Sequence, residues 1–325
     1  MRTAFEVLAV LLAVLVLLTL FAHLLVWRVT AASPPIGQWM EIEGERLHYR
    51  SLGQGPALVL VHGLGGESRN FDYLPLAQLA QRWRLILVDR PGAGYSPRRD
   101  DAHAGLAEQA RILAGFIRAL RLPQPPLLVG HSLGGAIALR LALQDPGCIA
   151  GLALIAPLTH FVAKVPPPFG PMAIRTPWLR RLFARTLAAP LGILGTPLVM
   201  AALFGPDAAP RDFALRGGGL MGLRPSAFYA ASTDLAAVER DLPAQQERYG
   251  QLLPPVRILY GEGDRVLDWR VQGEALRAKV PQARLELIPG GHMLPVSAAA
   301  RTAAWLEAAA QAAYGGMCES PVQPA

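Results

Sequence analysis

The sequence predicts an α/β architecture with a mostly parallel central sheet, preceded by one apolar helix of membrane length, and three observations carry that reading. Short apolar runs, "ALVLVHG" (57–63), "RLILVDRPG" (84–92) and "LLVGHS" (127–132), are separated by helix-length segments such as residues 105–120, the rhythm of parallel strands joined by crossover helices. After "GLALIAP" (151–157) that rhythm stops until residue 251, then resumes with "VRILYGEGD" (256–264) and "RLELIPGGH" (284–292). Ahead of all of this, residues 7–27 run for 21 positions without a formal charge.

Taken in chain order, the N-terminal run matches the ~20 residues that cross a bilayer as a helix, and Arg2 and Arg28 flank it. A secretory signal has a shorter apolar core of ~7–15 residues, so residues 1–29 read as an uncleaved single-pass anchor. The alternative is a signal cut at the small residues around Val29 and Ala31, which would leave a secreted domain. Arg2 is offset by Glu6, and the reading places the catalytic domain outside the cytoplasm. Residues 30–38, with Pro34 and Pro35, form a tether that would reach about 28 Å if extended. "WMEIEGERLHYRSLG" (39–53) alternates apolar and polar residues around a Glu-Gly turn, the pattern of a hairpin. The core then comprises 39–157 and 252–314, interrupted by 158–251, a Pro-, Gly-, Leu- and Phe-rich insertion with helical pieces. A last helix covers about 297–313, and 315–325 is a frayed tail.

Composition narrows the function. A 52% hydrophobic content supports a sizeable core, and the net charge of +7 is carried by basic residues of which only Lys164 and Lys279 are lysines. No interleaved basic and aromatic run accompanies that charge, which argues against nucleic-acid binding and leaves attraction to anionic lipid as its better use. Cys148 and Cys318 are the only cysteines and lack metal-ligand spacing, so neither a disulfide framework nor a metal is expected.

The chemistry is concentrated around "GHSLGG" (130–135). A G-x-S-x-G match is short enough to arise by chance, but here a buried strand ends at Val129 and a helix pattern starts near Gly134. A turn that sharp holds the Ser132 hydroxyl above the sheet, with small residues at 130 and 134 because strand and helix backbones nearly touch. A serine needs a base, and the base needs an orienting carboxylate. His292, in the "GGH" loop after the last strand pattern, is the candidate base. Asp264, ending "RILYGEGD", is the candidate acid, with Asp268, Glu262 and, in the insertion, Asp234 as alternatives. The backbone N–H groups of Leu133 and of Leu64 in "HGLGG" (62–66) are the candidate oxyanion donors.

These motifs, with "DRPGAGYS" (89–96) between them, resemble in order and spacing the α/β-hydrolase superfamily, in its cap-bearing serine hydrolase branch of esterases and C–C bond hydrolases. The resemblance covers residues 39–313 and implies an α/β-hydrolase fold, with 158–251 as a helical cap that lids the pocket and sets substrate choice. Asp89 and Arg90 would brace their loop. Serine at the elbow argues against dehalogenase and epoxide hydrolase chemistry, where an aspartate stands, and against dienelactone hydrolase chemistry, where a cysteine stands. The expected function is ester hydrolysis through Ser132, His292 and Asp264, without a cofactor. C–C hydrolysis of a vinylogous diketone is the runner-up, and a non-catalytic binding protein on the same fold the third reading. Apolar cap residues (Phe161, Phe169, Trp178, Phe183, Leu191, Met200, Phe204 and Met221) either line a pocket for a lipid-like acyl chain or pack the cap onto the sheet, and both readings stay open for each residue.

Overall fold

A computed structural model describes residues 2–163 and 167–315. Eight strands form one sheet: β1 (Gln38–Ile42), β2 (Glu45–Leu52), β3 (Ala57–Val61), β4 (Arg84–Val88), β5 (Leu127–His131), β6 (Gly151–Ile155), β7 (Val256–Gly261) and β8 (Arg284–Ile288). Their order is β1-β2-β4-β3-β5-β6-β7-β8, antiparallel for the first two pairings and parallel from β4 onward. The β1–β2 hairpin closes through Glu43 (φ 52°) and Gly44 (φ 84°), a turn with two positive φ values that matches strand twist. The chain leaves β3 for β4 on one side and returns to β5 on the other. That reversal opens a crevice beyond the C-terminal ends of β3 and β5, where ligands bind in open α/β sheets.

Strands β3, β5 and β6 are buried along their whole length because helices cover both faces of the sheet. The period-2 alternation of β3 sends Val59 and Val61 to one face and Leu58 and Leu60 to the other. On the first face lie α2 (Leu106–Ala119) and α3 (Leu133–Gln144), contributing Leu113, Phe116, Ile137 and Leu141. The second face is covered by the last helix, which runs from Ala299 to Tyr314 after the separate short turn Leu294–Ser297. Its Tyr314 hydroxyl donates to Ala57 O and accepts from Leu127 N, both at 2.8 Å, tying the helix end to the starts of β3 and β5.

Between β6 and β7 the described residues hold helices and no strand. These include α4 (Pro177–Arg185), α5 (Ala188–Phe204) and α6 (Pro225–Gln246), with α4 and α5 meeting at an 80° bend. The last helix of the core, Ala299–Tyr314, is therefore α7.

The N-terminal helix α1 (Arg2–Ala32) is longer than its charge-free run. Residues 30–38 are not the free tether expected from sequence. The helix continues to Ala32, Ser33 N donates to Val29 O, and Arg69 Nη2 donates to the carbonyls of Ser33 (3.3 Å) and Pro34 (2.8 Å). His48 Nε2 lies 3.0 Å from Ile36 O. The Ser33 and Pro34 carbonyls lie just past the helix end, outside any strand or helix, and the guanidinium gives them donors. Cys148 sits half-buried in a short turn, Pro146–Cys148. The tail from residue 316, with Cys318, lies outside the described residues.

Replacing Tyr314 by Phe leaves the buried Leu127 N–H without its acceptor. Urea unfolding of Tyr314→Phe is expected to show a loss of about 1–3 kcal/mol, and an unchanged midpoint would show that the hydroxyl does not tie α7 to the sheet.

Candidate active site

β5 ends at His131 and α3 begins at Leu133, so the whole change of direction falls on Ser132, at φ 53° and ψ −120°. A non-glycine residue there costs roughly 1–3 kcal/mol and persists only when its surroundings impose it. They do: Ser132 N donates to Ile155 O (3.1 Å), and Ser132 O accepts from Gly135 N (2.9 Å) and Leu158 N (3.0 Å). The glycines are required by distance. A Cβ on Gly134 would stand 2.2 Å from Val61 O, and one on Gly130 would stand 2.6 Å from Gly134 O. A Cβ on Gly63 would come within 2.9 Å of Ser132 Cβ, so the "HGLGG" turn after β3 lies directly against the serine.

His292 and Asp264 come from the loops after β8 and β7. His292 Nδ1 is 2.8 Å from Asp264 Oδ2, and the side chains are 3% and 0% exposed. The other carboxylate oxygen accepts from Val266 N (2.8 Å) and Leu267 N (2.9 Å), which fixes the Asp264 side chain. A hydrogen on Nδ1 leaves Nε2 as the lone-pair nitrogen of a neutral ring. The other carboxylates weighed from sequence are elsewhere: Glu262 is exposed, Asp268 is exposed and accepts from Arg270 N, and Asp234 is buried between Arg90 and Arg98. The remaining histidines have other partners. His23 contacts Thr19 O, His48 pairs with Asp89, His103 with Glu45, and His160 with Thr159 Oγ1.

Two histidines beside the site are held neutral. Burial, with the nearby Arg90 charge, lowers His62 to about 3, and burial, with the charge of His292, lowers His131 to about 3. Their hydrogen bonds fit that state. His62 Nε2 accepts from Arg90 N (3.1 Å), and His131 Nε2 donates to His292 O (3.1 Å), linking the residue before Ser132 to the residue bearing the candidate base.

Arg90 is the chief residue whose role the sequence understates. Its Nε donates to His62 O (3.1 Å), its Nη2 to Gly63 O (2.9 Å) and its Nη1 to both Gln109 Oε1 (2.7 Å) and Asp234 Oδ2 (2.9 Å). A trans peptide points C=O and N–H in opposite directions, so holding Gly63 O also fixes the direction of the Leu64 N–H. Among the described residues, neither the Leu64 nor the Leu133 N–H has a protein acceptor. Glu67 closes the same turn by a capping box with Asn70, a pairing legible in the spacing of "ESRN". Burial, with the nearby Asp89 charge, raises the Glu67 carboxyl to about 7.

The apolar cap residues do not all face a pocket. Trp178 and Leu191 point to solvent, at 68% and 45% exposed. Phe183 packs on Phe228 in a cluster internal to the insertion, whereas Phe204 packs on Phe213 and Met200 in a cluster shared with Met293 and Val296, which joins the insertion to the main body. Phe161 packs against the main core, and Phe169 is half-buried. Met221 lies at the seam with Gly65, Gly66 and Arg90, where the open volume is only about 10 Å³. A larger groove of about 640 Å³, lined by Gly53, Gln54 and Gln124 among others, is at the opposite end of the sheet from Ser132.

Comparison with known proteins agrees with the fold. Residues 56–299 match the family described as alpha/beta hydrolase fold. Over 249 residues the chain is 32% identical to the pimeloyl-[acyl-carrier protein] methyl ester esterase of Nitrosomonas europaea, covering 75% of this chain and 90% of that one. A 126-residue stretch is 36% identical to an uncharacterized protein of Mycobacterium tuberculosis, and spans only 36% of that relative's length. Among solved structures, a membrane phospholipase A described as a bacterial virulence factor superposes with a TM-score of 0.68 at 23% identity, over 98% of this chain and 100% of that one, a likeness of fold. The chain belongs to the alpha/beta hydrolase fold family.

The neutral histidines set a pH dependence with a definite sign. Below 6.5 the unfolded chain takes up protons that folded His62 and His131 refuse until about pH 3, so they cost stability as pH falls through that window. The slope is at most ~1.4 kcal/mol per pH unit for each. Glu67, raised to about 7 from 4.5, acts in the opposite sense over its own window, and cancels when a His131 variant is compared with the parent. His131→Asn is expected to flatten the fall in urea midpoint between pH 6.5 and 4, and parallel curves would show that His131 is not refused its proton.

Proposed function

We propose that this chain is a membrane-tethered serine hydrolase that cleaves carboxylic esters of apolar acyl groups. The observation that carries the reading is the paired His292 and Asp264 beyond the same end of the sheet as Ser132, itself held at positive φ against the "HGLGG" turn. In this reading Ser132 Oγ attacks the ester carbonyl while His292 Nε2 takes its proton, and Asp264 holds the ring in the required tautomer and stabilises its charged form. The Leu64 and Leu133 N–H groups hold the oxyanion, each worth about 3 kcal/mol in the transition state. His292 then returns the proton to the leaving alcohol, and water releases the acyl group by the same steps in reverse.

Three further observations support the finer parts. The relative from Nitrosomonas europaea is named for the hydrolysis of a methyl ester. Leu64 and Leu158, apolar and only partly buried, adjoin the serine in space, Leu158 through its bond to Ser132 O. The helix Thr3–Ala32 is long and apolar enough to cross a membrane, and its most apolar 18 residues are only 6% buried.

Ser132→Ala is expected to abolish both fluorophosphonate labelling and ester turnover without changing the unfolding midpoint, because the hydroxyl carries no packing. Asp264→Asn is expected to lower kcat by up to ~10⁴ through the wrong imidazole tautomer. Substantial turnover by Ser132→Ala, or a larger effect from Asp268→Asn than from Asp264→Asn, would remove the assignment. On p-nitrophenyl esters from acetyl to dodecanoyl, kcat/KM is expected to rise about fourfold per methylene, from ~0.8 kcal/mol each, until the site is full. A steady fall from acetyl upward would refute an apolar acyl site.

A further inference from the structure

The lower half of α1 is exposed, and one face of its upper half is buried. Residues 3–17 are exposed all round, whereas Ala22 and Val29 are buried and Leu18, Leu25 and Val26 are half-buried, one face at helical spacing. That face packs against α4 and the turn Gly219–Leu223 of the cap. The charge-free run of residues 7–27 has the length that matches a hydrocarbon core of ~30 Å, but residues 7–17 alone cover only about 16 Å of it. A bilayer that holds the whole run must therefore reach the level at which α1 is already joined to the cap. Tilting the helix does not avoid this, since it brings the cap down onto the same surface.

The cap is built for such contact at that place. On α4, Trp178, Leu179 and Leu182 are 68%, 42% and 44% exposed, and on α5, Leu191, Leu194 and Leu198 are 45%, 77% and 61% exposed. No charged residue occurs within α5, and the exposed Arg181 and Arg185 border the patch on α4. A patch of this size is unusual on a surface that meets only water, and guanidinium groups at its edge complement anionic headgroups. We infer that the α4–α5 face of the cap is a second membrane-binding surface, seated in the boundary between headgroups and acyl chains of an anionic bilayer beside the α1 span. The inference rests on the reading of α1 as an anchor. It places the cap edge of the active site where an apolar ester is dissolved, so substrate comes from the lipid phase.

The test uses the full chain in phosphatidylcholine–phosphatidylglycerol vesicles, with Cys148→Ala and Cys318→Ala as background. An environment-sensitive nitrobenzoxadiazole probe is placed singly through Leu194→Cys on the cap, Leu12→Cys in α1 or Gln54→Cys at the far end of the sheet. With bromine on the lipid acyl chains, the probes at 12 and 194 are expected to lose roughly half their emission, as for groups ~5–10 Å below the surface, and the probe at 54 none. Arg181→Glu with Arg185→Glu is expected to reduce quenching at 194 while leaving it unchanged at 12. Flotation with the vesicles and quenching at 12 but not at 194 would overturn the inference and leave the anchor standing. Loss of both flotation and quenching at 12 would overturn the anchor, and the inference with it. A probe at 194 that is shielded in proportion to protein concentration, without bromine quenching, would mean that a second copy of the chain covers this face, which also overturns it.

Discussion

The closeness with which α3 is pressed into the end of the sheet sets the position of everything at the site. Gly134 approaches the carbonyls of Val61 and His62 so nearly that no side chain fits, and Gly130 is as close to Gly134 itself. With strand and helix backbones in contact, one residue must make the turn, and Ser132 is forced to positive φ. The same approach brings the turn after β3 against the serine. The proposed nucleophile and both proposed oxyanion donors are therefore positioned by backbone packing between fully buried strands and a helix. Such packing is stiff, since a buried backbone with its hydrogen bonds made has little room to relax.

A second constraint joins the cap to that site. Asp234 on α6 accepts from Arg90 and Arg98, and all three side chains are 3–4% exposed. Removing one partner from a buried pair of this kind typically costs about 3–5 kcal/mol, because the other charge is left without compensation. Arg90 also holds the carbonyls of His62 and Gly63, so the ion pair is a direct mechanical link between a cap helix and the turn bearing the Leu64 N–H. The outer part of the cap is fastened differently: Arg180 of α4 donates to Ser232 and Thr233 of α6. Polar ties thus run from α4 to α6 and from α6 to the core, which leaves the outward face of α5 to apolar side chains and that of α4 to apolar side chains bordered by Arg181 and Arg185.

Hydrophobic surface is accordingly divided into two kinds. Inside, the sheet is sealed by α2 and α3 on one side and α7 on the other. Outside, α1 and the α4–α5 pair carry large exposed side chains next to one another, which in water would favour association and in a bilayer would be satisfied. The proposed tether and the proposed cap surface are one continuous feature on this view, joined where α1 meets α4 and the turn Gly219–Leu223.

The strand rhythm, the Glu-Gly hairpin and the positions of the proposed site residues Ser132, Asp264 and His292 at strand ends were legible in the sequence because each depends on local pattern: alternation, turn chemistry, and motifs at strand ends. The span-length helix was legible for the same reason, as a run without charge. Where the partners lie far apart in the chain, the sequence was silent. It offered Asp234 as a candidate acid, yet two arginines from the loop after β4 hold it, and no spacing announces a pair 144 residues apart. It read residues 30–38 as a free tether, yet Arg69 and His48 hold their carbonyls. It offered pocket lining or packing onto the sheet for Trp178 and Leu191, and both face outward instead, because apolar character says only that a side chain avoids water and leaves open whether protein or lipid replaces it. Local chemistry determined which residues could form a strand, an elbow or a span. Only the tertiary structure decided which surfaces face inward, because that depends on what the rest of the chain brings against them.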